Sequence, residues 1–312
     1  MKIDSEVAQL IEDNIKLGLP PVYTLSIEEA RQRMRNAFIV KENKEKIFNI
    51  EEYQIPYLNH QIPLRVYYPN NSKNLPCLLF FHGGGWTIND LDTHDALCRS
   101  ITNLVSCIVI SVDYRRAPEH KFPAAIEDSY AALEWVEENA SMLYIDSSRI
   151  AVGGDSSGGN QATVTCLLSR DKSGPKIMFQ WLAYPITDYH TPLKKSYIEM
   201  AEGYSLNKDF MFWFWDNYTD VNTDYDNPYL CPLRSTNLKN LPPAFIMTAN
   251  FDPLRDEGEL YASKLKQNGN IVTLKRYEGQ MHGFLMVRGR VKKAQEGFLD
   301  AINELKQAFA NK

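Results

Sequence analysis

A chain of 312 residues, 44% of them hydrophobic and 23% charged, is long enough for one large sheet with an inserted subdomain and apolar enough to bury a sizeable core. Its formal net charge of -5 leaves no basic field for phosphates or anionic lipid, which sets nucleic acid aside as a partner. The opening Met1-Lys2-Ile3-Asp4-Ser5-Glu6 puts acids where a secretory leader would be apolar, and no apolar run approaches about eighteen residues, so a cytoplasmic protein without stable membrane anchoring is expected.

In chain order, two amphipathic stretches, Ser5 to Leu17 and Ile27 to Phe38, predict helices. Alternating segments at Lys46–Ile55 and Ile62–Tyr68 predict a strand hairpin. Beyond them, Cys77–Phe81, Cys107–Val112, Ile150–Val152, Ile177–Ala183, Ala244–Thr248 and Val272–Tyr277 are short apolar or β-branched runs, as expected of strands buried on both faces. Helical patterns separate them at about Thr93–Val105, Pro123–Asn139, Gly158–Ser169, Pro253–Asn268 and Val291–Phe309. Strand and helix in alternation mean a parallel sheet. The stretch from Tyr189 to Leu241 breaks that rhythm and reads as an insertion, leaving 46–188 and 242–312 as the main domain and 1–45 as an N-terminal helical segment. The five cysteines (Cys77, Cys98, Cys107, Cys166 and Cys231) are odd in number, scattered and without a CxxC pair, so buried free thiols are expected rather than disulfides or metal ligands.

Gly154-Asp155-Ser156-Ser157-Gly158 directly follows one predicted strand and opens a helix, the context of a nucleophile elbow. Alone the pattern is weak, since it arises by chance in about one chain in ten of this length. His82-Gly83-Gly84-Gly85-Trp86 follows another strand, and such a run is expected in only about one chain in several hundred. Bare glycine amides suit an oxyanion, and Gly83, Gly84 and the amide of Ser157 are the expected donors. A phosphate loop is disfavoured, because no Gly-Lys-Ser/Thr follows and GxGxxG spacing is missing.

For the base, chain order decides among His60, His82, His94, His120, His190 and His282. An elbow hydrolase runs serine, acid, histidine, so only the last two come late enough, and His190 falls in the insertion. His282 remains, in a glycine-flanked loop after the last strand. For the acid, Asp252 stands just past a strand's carboxyl end, where open parallel sheets bind ligands, with a helix cap as its competing role. Asp155 is too close to the serine to reach an imidazole arriving from its far side, and Asp256 and Glu257 read as first-turn acids favouring a helix dipole. The run Phe210-Met211-Phe212-Trp213-Phe214-Trp215 is dense enough in aromatics to line a pocket. Trp86, Asp155, Tyr184, Phe210 and Phe214 are the candidate lining residues.

These motifs, together with Tyr114-Arg115-Arg116-Ala117-Pro118-Glu119-His120, Phe122-Pro123-Ala124-Ala125, Asp252-Pro253-Leu254-Arg255-Asp256-Glu257-Gly258 and His282-Gly283-Phe284, make the sequence resemble the hormone-sensitive-lipase-like (bacterial family IV) esterases. The resemblance implies an α/β-hydrolase fold, a mostly parallel eight-stranded sheet flanked by helices, with a cap built from residues 1–45 and the insertion 189–241 after the sixth strand. It also implies a carboxylesterase acting on small esters of short to medium acyl chains, with no cofactor and no metal; a homodimer is left open. Ser157 departs from the alanine usual in that family's elbow, but only its amide is needed there. A non-catalytic binding protein is the reading from another class, and the retention of all three triad positions argues against it.

Overall fold

The computed structural model describes residues 2–40, 42, 44–200 and 202–310. Two helices come first, α1 (Ser5–Lys16) and α2 (Ile27–Phe38). Asp4 caps α1 by accepting from the Glu6 amide, and Ser26 and Glu29 form a reciprocal capping box on α2. The sheet then begins with β1 (Asn49–Tyr57) and β2 (His60–Tyr68), an antiparallel hairpin. There follow β3 (Leu75–Phe81), α3 (Leu91–Val105), β4 (Ile108–Val112), α4 (Ala124–Glu138), β5 (Ile145–Asp155), α5 (Ser157–Lys172) and β6 (Phe179–Ala183). Two helices outside the alternation come next, α6 (Lys195–Glu199) and α7 (Lys208–Tyr218), and then β7 (Ala244–Phe251), α8 (Arg255–Gln267), β8 (Val272–Met281) and α9 (Lys292–Ala310).

The eight strands lie in the order β1-β2-β4-β3-β5-β6-β7-β8. β2 meets β4 antiparallel, and every pairing from β4 to β8 is parallel. The expected fold, an eight-stranded, mostly parallel sheet flanked by helices, is the one observed. Successive residues of a strand face opposite layers, so β3 sends Cys77, Leu79 and Phe81 into one core and Leu78 and Phe80 into the other. The first core holds buried residues of α4, α5 and α8; the second holds those of α3 and α9. All five cysteines are buried with free thiols.

Strands β5, β7 and β8 run past the apolar stretches that announce them, ending at Asp155, Phe251 and Met281 instead of Val152, Thr248 and Tyr277. Their extra residues include Gly153, Gly154, Asp155, Asn250 and Gln280, which hydropathy reads as loop. The ladder continues there because Gly154 pairs with Phe81 and Leu182, and Phe251 with Met281. These extensions carry the chain to the carboxyl edge of the sheet, where Ser156, Asp252 and His282 follow directly. No helix among the described residues is long and apolar enough to cross a membrane.

Candidate active site

The turn from β5 into α5 is sharp. Ser156 sits at φ +57 and ψ -119, a conformation that a non-glycine residue adopts only when its surroundings enforce it. The enforcement is steric. A Cβ on Gly158 would overlap the Phe81 carbonyl oxygen, and one on Gly154 would overlap both that oxygen and Gly158. Only glycines let β3, the turn and α5 approach so closely. The Ser156 amide donates to the Ala183 carbonyl at 2.9 Å, and the residue is 7% exposed.

β7 and β8 deliver the two partners. His282, one residue past β8, places Nε2 3.0 Å from Ser156 Oγ. Its Nδ1 lies 2.7 Å from Oδ2 of Asp252, one residue past β7. The tautomer that satisfies both contacts keeps its proton on Nδ1 and turns the Nε2 lone pair to the serine hydroxyl. Asp252 is fully buried, and its other oxygen accepts from the Leu254 amide at 2.8 Å. It caps a turn, not the helix, since α8 starts at Arg255 with Leu254 as its cap. Tyr184 meets the imidazole edge-on, with ring centroids 4.7 Å apart.

The glycine loop corrects one expectation. The Gly83 amide donates to Asp155 Oδ1 at 2.8 Å, so it has no free N–H to offer an oxyanion. Among the described residues the amides of Gly84, Gly85 and Ser157 have no hydrogen-bond partner. Gly84 at φ +123 and Gly85 at φ +57 adopt backbone angles that favour glycine. His82, fully buried, stacks on Tyr114 at 4.3 Å, and its Nδ1 lies 2.9 Å from the Gly83 carbonyl. Burial, reinforced by nearby His94, pushes its imidazole down to about 3. It is a neutral strut.

Pocket lining needs a second correction. Trp86 is fully buried, stacked on Tyr218 at 4.0 Å and tilted against Trp215 at 5.0 Å, so it packs the loop onto α7 and offers no face to a ligand. Asp155 also faces inward, engaged with Gly83 and lying 3.1 Å from His94 Nε2. Phe210 and Phe214 stack at 4.5 Å, and the Phe214 ring fills the space that a Gly85 Cβ would need. Tyr23 continues the series against Phe210 at 5.7 Å, joining the N-terminal segment to the insertion. Arg31 of α2 ties that segment to the loop as well, donating to the carbonyls of Thr87 and Ala117 and to both oxygens of Glu119. Tyr23 and Arg31 carried no motif, and only tertiary contact reveals them.

Glu257 is more than a first-turn acid. It is fully buried on α8, and Oε1 accepts from the amides of Thr187 at 2.8 Å and Asp188 at 3.2 Å, tying α8 to the turn after β6. Burial raises its carboxyl to about 8, against the opposing pull of Lys194 and those amides.

A family model described as alpha/beta hydrolase fold matches residues 78–286. The chain is 41% identical over 289 residues to carboxylesterase NlhH of Mycobacterium tuberculosis, covering 91% of this chain and 90% of that protein. It is 47% identical over 244 residues to carboxylic ester hydrolase LipN of the same organism, covering 76% of this chain and 64% of the longer relative. Among solved structures, a hyperthermophilic esterase from the archaeon Pyrobaculum calidifontis superposes with a TM-score of 0.94 at 37% identity, covering 98% of this chain and 99% of that one.

Proposed function

The chain belongs to the alpha/beta hydrolase fold family as a hormone-sensitive-lipase-like carboxylic ester hydrolase, and from that membership we propose that Ser156, His282 and Asp252 form its catalytic triad. One observation carries the reading: an unbroken contact chain, Ser156 Oγ to His282 Nε2 at 3.0 Å and His282 Nδ1 to Asp252 at 2.7 Å, at the carboxyl edge of the sheet.

In the proposed cycle, Ser156 Oγ attacks the ester carbonyl while His282 Nε2 takes the hydroxyl proton. Negative charge collects on the former carbonyl oxygen, which the free amides of Gly84, Gly85 and Ser157 receive. The imidazolium, steadied by buried Asp252, returns the proton to the departing alcohol and leaves an acyl group on Ser156. Water then attacks that acyl group while the same imidazole takes its proton. Collapse of the second tetrahedral species releases the acid and returns the proton to Ser156.

We further propose that α1, α2 and residues 189–241 form a cap over this site and that the Tyr23–Phe210–Phe214 series bounds the acyl slot. The placement of Phe214 against Gly85 supports a preference for short to medium acyl chains. Replacing Ser156 by alanine tests the core of the reading. Hydrolysis of p-nitrophenyl butyrate is expected to fall by roughly four to six orders of magnitude, and a fluorophosphonate probe should no longer label the protein. Near-normal turnover in Ser156→Ala refutes it.

A further inference from the structure

Asp155 precedes the nucleophile and takes no part in the cycle just described, yet it is only 5% exposed. Its Oδ1 accepts the Gly83 amide at 2.8 Å and lies 3.1 Å from His94 Nε2 on α3. A Cβ on Gly83 would sit 2.5 Å from Oδ2 and 2.7 Å from the Asp155 carbonyl oxygen, so the glycine loop lies directly against this residue. The opposite side of the loop is braced as well: Asn89 donates to the Gly83 carbonyl at 3.1 Å, and the Tyr114 hydroxyl donates to the His82 carbonyl at 2.7 Å. The amides left without partners, Gly84 and Gly85, are the next two along the loop.

Resting on the triad reading above, we propose that Asp155 is a positioning residue: one carboxylate, peptide-bonded to the nucleophile and hydrogen-bonded to Gly83, sets where the oxyanion amides stand relative to Ser156 Oγ. Serine and glycine loop sit on different strands, and a reacting carbonyl must meet both within a few tenths of an ångström. Asp155 is the shortest connection between them, because its backbone is continuous with Ser156 and its side chain ends on the loop. Burial by itself would raise its carboxyl, but His94 and the Gly83 amide hold it below its ordinary value, which keeps the acceptor charged and the bond to Gly83 strong. His94 is in turn held by Thr93, its Nδ1 lying 3.0 Å from Thr93 Oγ1.

The experiment compares Asp155→Ala, Asp155→Asn and Gly83→Ala with the wild type. Its two readouts are steady-state hydrolysis of p-nitrophenyl butyrate and inhibition by an alkyl trifluoromethyl ketone, which adds to the serine and mimics the tetrahedral species. Asp155→Ala is expected to lower kcat by roughly a hundredfold with KM within about threefold, and to weaken the ketone by a similar factor. Asparagine keeps an oxygen for the Gly83 amide and should recover activity to within about tenfold of wild type. Gly83→Ala pushes the loop off Asp155 by a separate route and should reproduce the alanine phenotype. An Asp155→Ala enzyme with wild-type kcat overturns the proposal, as does a loss of kcat that leaves ketone affinity unchanged, or an asparagine variant as impaired as the alanine one. Each of those results alongside an inactive Ser156→Ala defeats the positioning role alone, whereas an active Ser156→Ala defeats the triad beneath it.

Discussion

Glu257 makes the stability of this fold depend on pH in a calculable way. Its carboxyl is raised from 4.5 to about 8 in the folded chain, so between those values the folded state holds a proton that the unfolded state has released. A group that binds more protons when folded favours folding at low pH. The contribution is therefore fully present below about pH 4.5, declines as pH rises through the window, and is gone once the folded carboxyl ionises near pH 8. Over about three and a half pH units, at about 1.4 kcal/mol per unit, the fold loses about 5 kcal/mol. That is a large share of the roughly 5–15 kcal/mol typical of a folded domain. Glu257→Gln keeps an oxygen for the Thr187 and Asp188 amides and never ionises. Urea unfolding followed by tryptophan fluorescence should find the variant near wild type at pH 5 and about 4–5 kcal/mol more stable at pH 9. Because all other titrating groups are shared, they cancel in the comparison. A stability gap of the same size at both pH values refutes the reasoning.

Further outcomes follow from the packing of the site. Phe214→Ala empties the space against Gly85, so on a p-nitrophenyl ester series the octanoate-to-butyrate ratio of kcat/KM should rise roughly tenfold, since room for about two more methylenes at about 0.8 kcal/mol each amounts to about one factor of ten; an unchanged ratio removes Phe214 from the acyl slot. Gly158→Ala forces a methyl into the Phe81 carbonyl and should cost about 3 kcal/mol, read as a lowered thermal midpoint. Arg31→Ala removes the charged bonds that tie α2 to Thr87, Ala117 and Glu119. It should cost about 1–3 kcal/mol and make residues 27–38 cleavable in limited proteolysis, where wild type resists.

Much of this architecture could be read from residue pattern because the central strands are buried on both faces and so appear as short apolar runs. Ser156, Asp252 and His282 could be singled out by the Gly-Asp-Ser-Ser-Gly motif, by position past a strand's carboxyl end and by chain order respectively, and the structure places each one residue beyond a strand. Other features resisted. Three consecutive glycines do not say which amides stay unpaired, and the Gly83 amide is taken by Asp155, which lies 72 positions away. Trp86 looked like a pocket residue because an aromatic beside a glycine loop suits a ligand as well as a core, and only the approach of Tyr218 and Trp215 decides between them. Glu257 reads as a first-turn helix acid because nothing local announces that the Thr187 turn folds over it.

The strand order also bears on how the molecule comes into being. From β3 onward the sheet grows mostly toward one edge: β5 joins β3, then β6, β7 and β8 are laid down in the order in which they are translated. Emergence from the ribosome can thus proceed from β5 onward as stepwise extension of an edge already formed. His282 arrives with β8, the final strand. In the triad reading proposed above, Ser156 and the glycine loop therefore leave the ribosome well before the base, and hydrolysis would wait for the outermost strand.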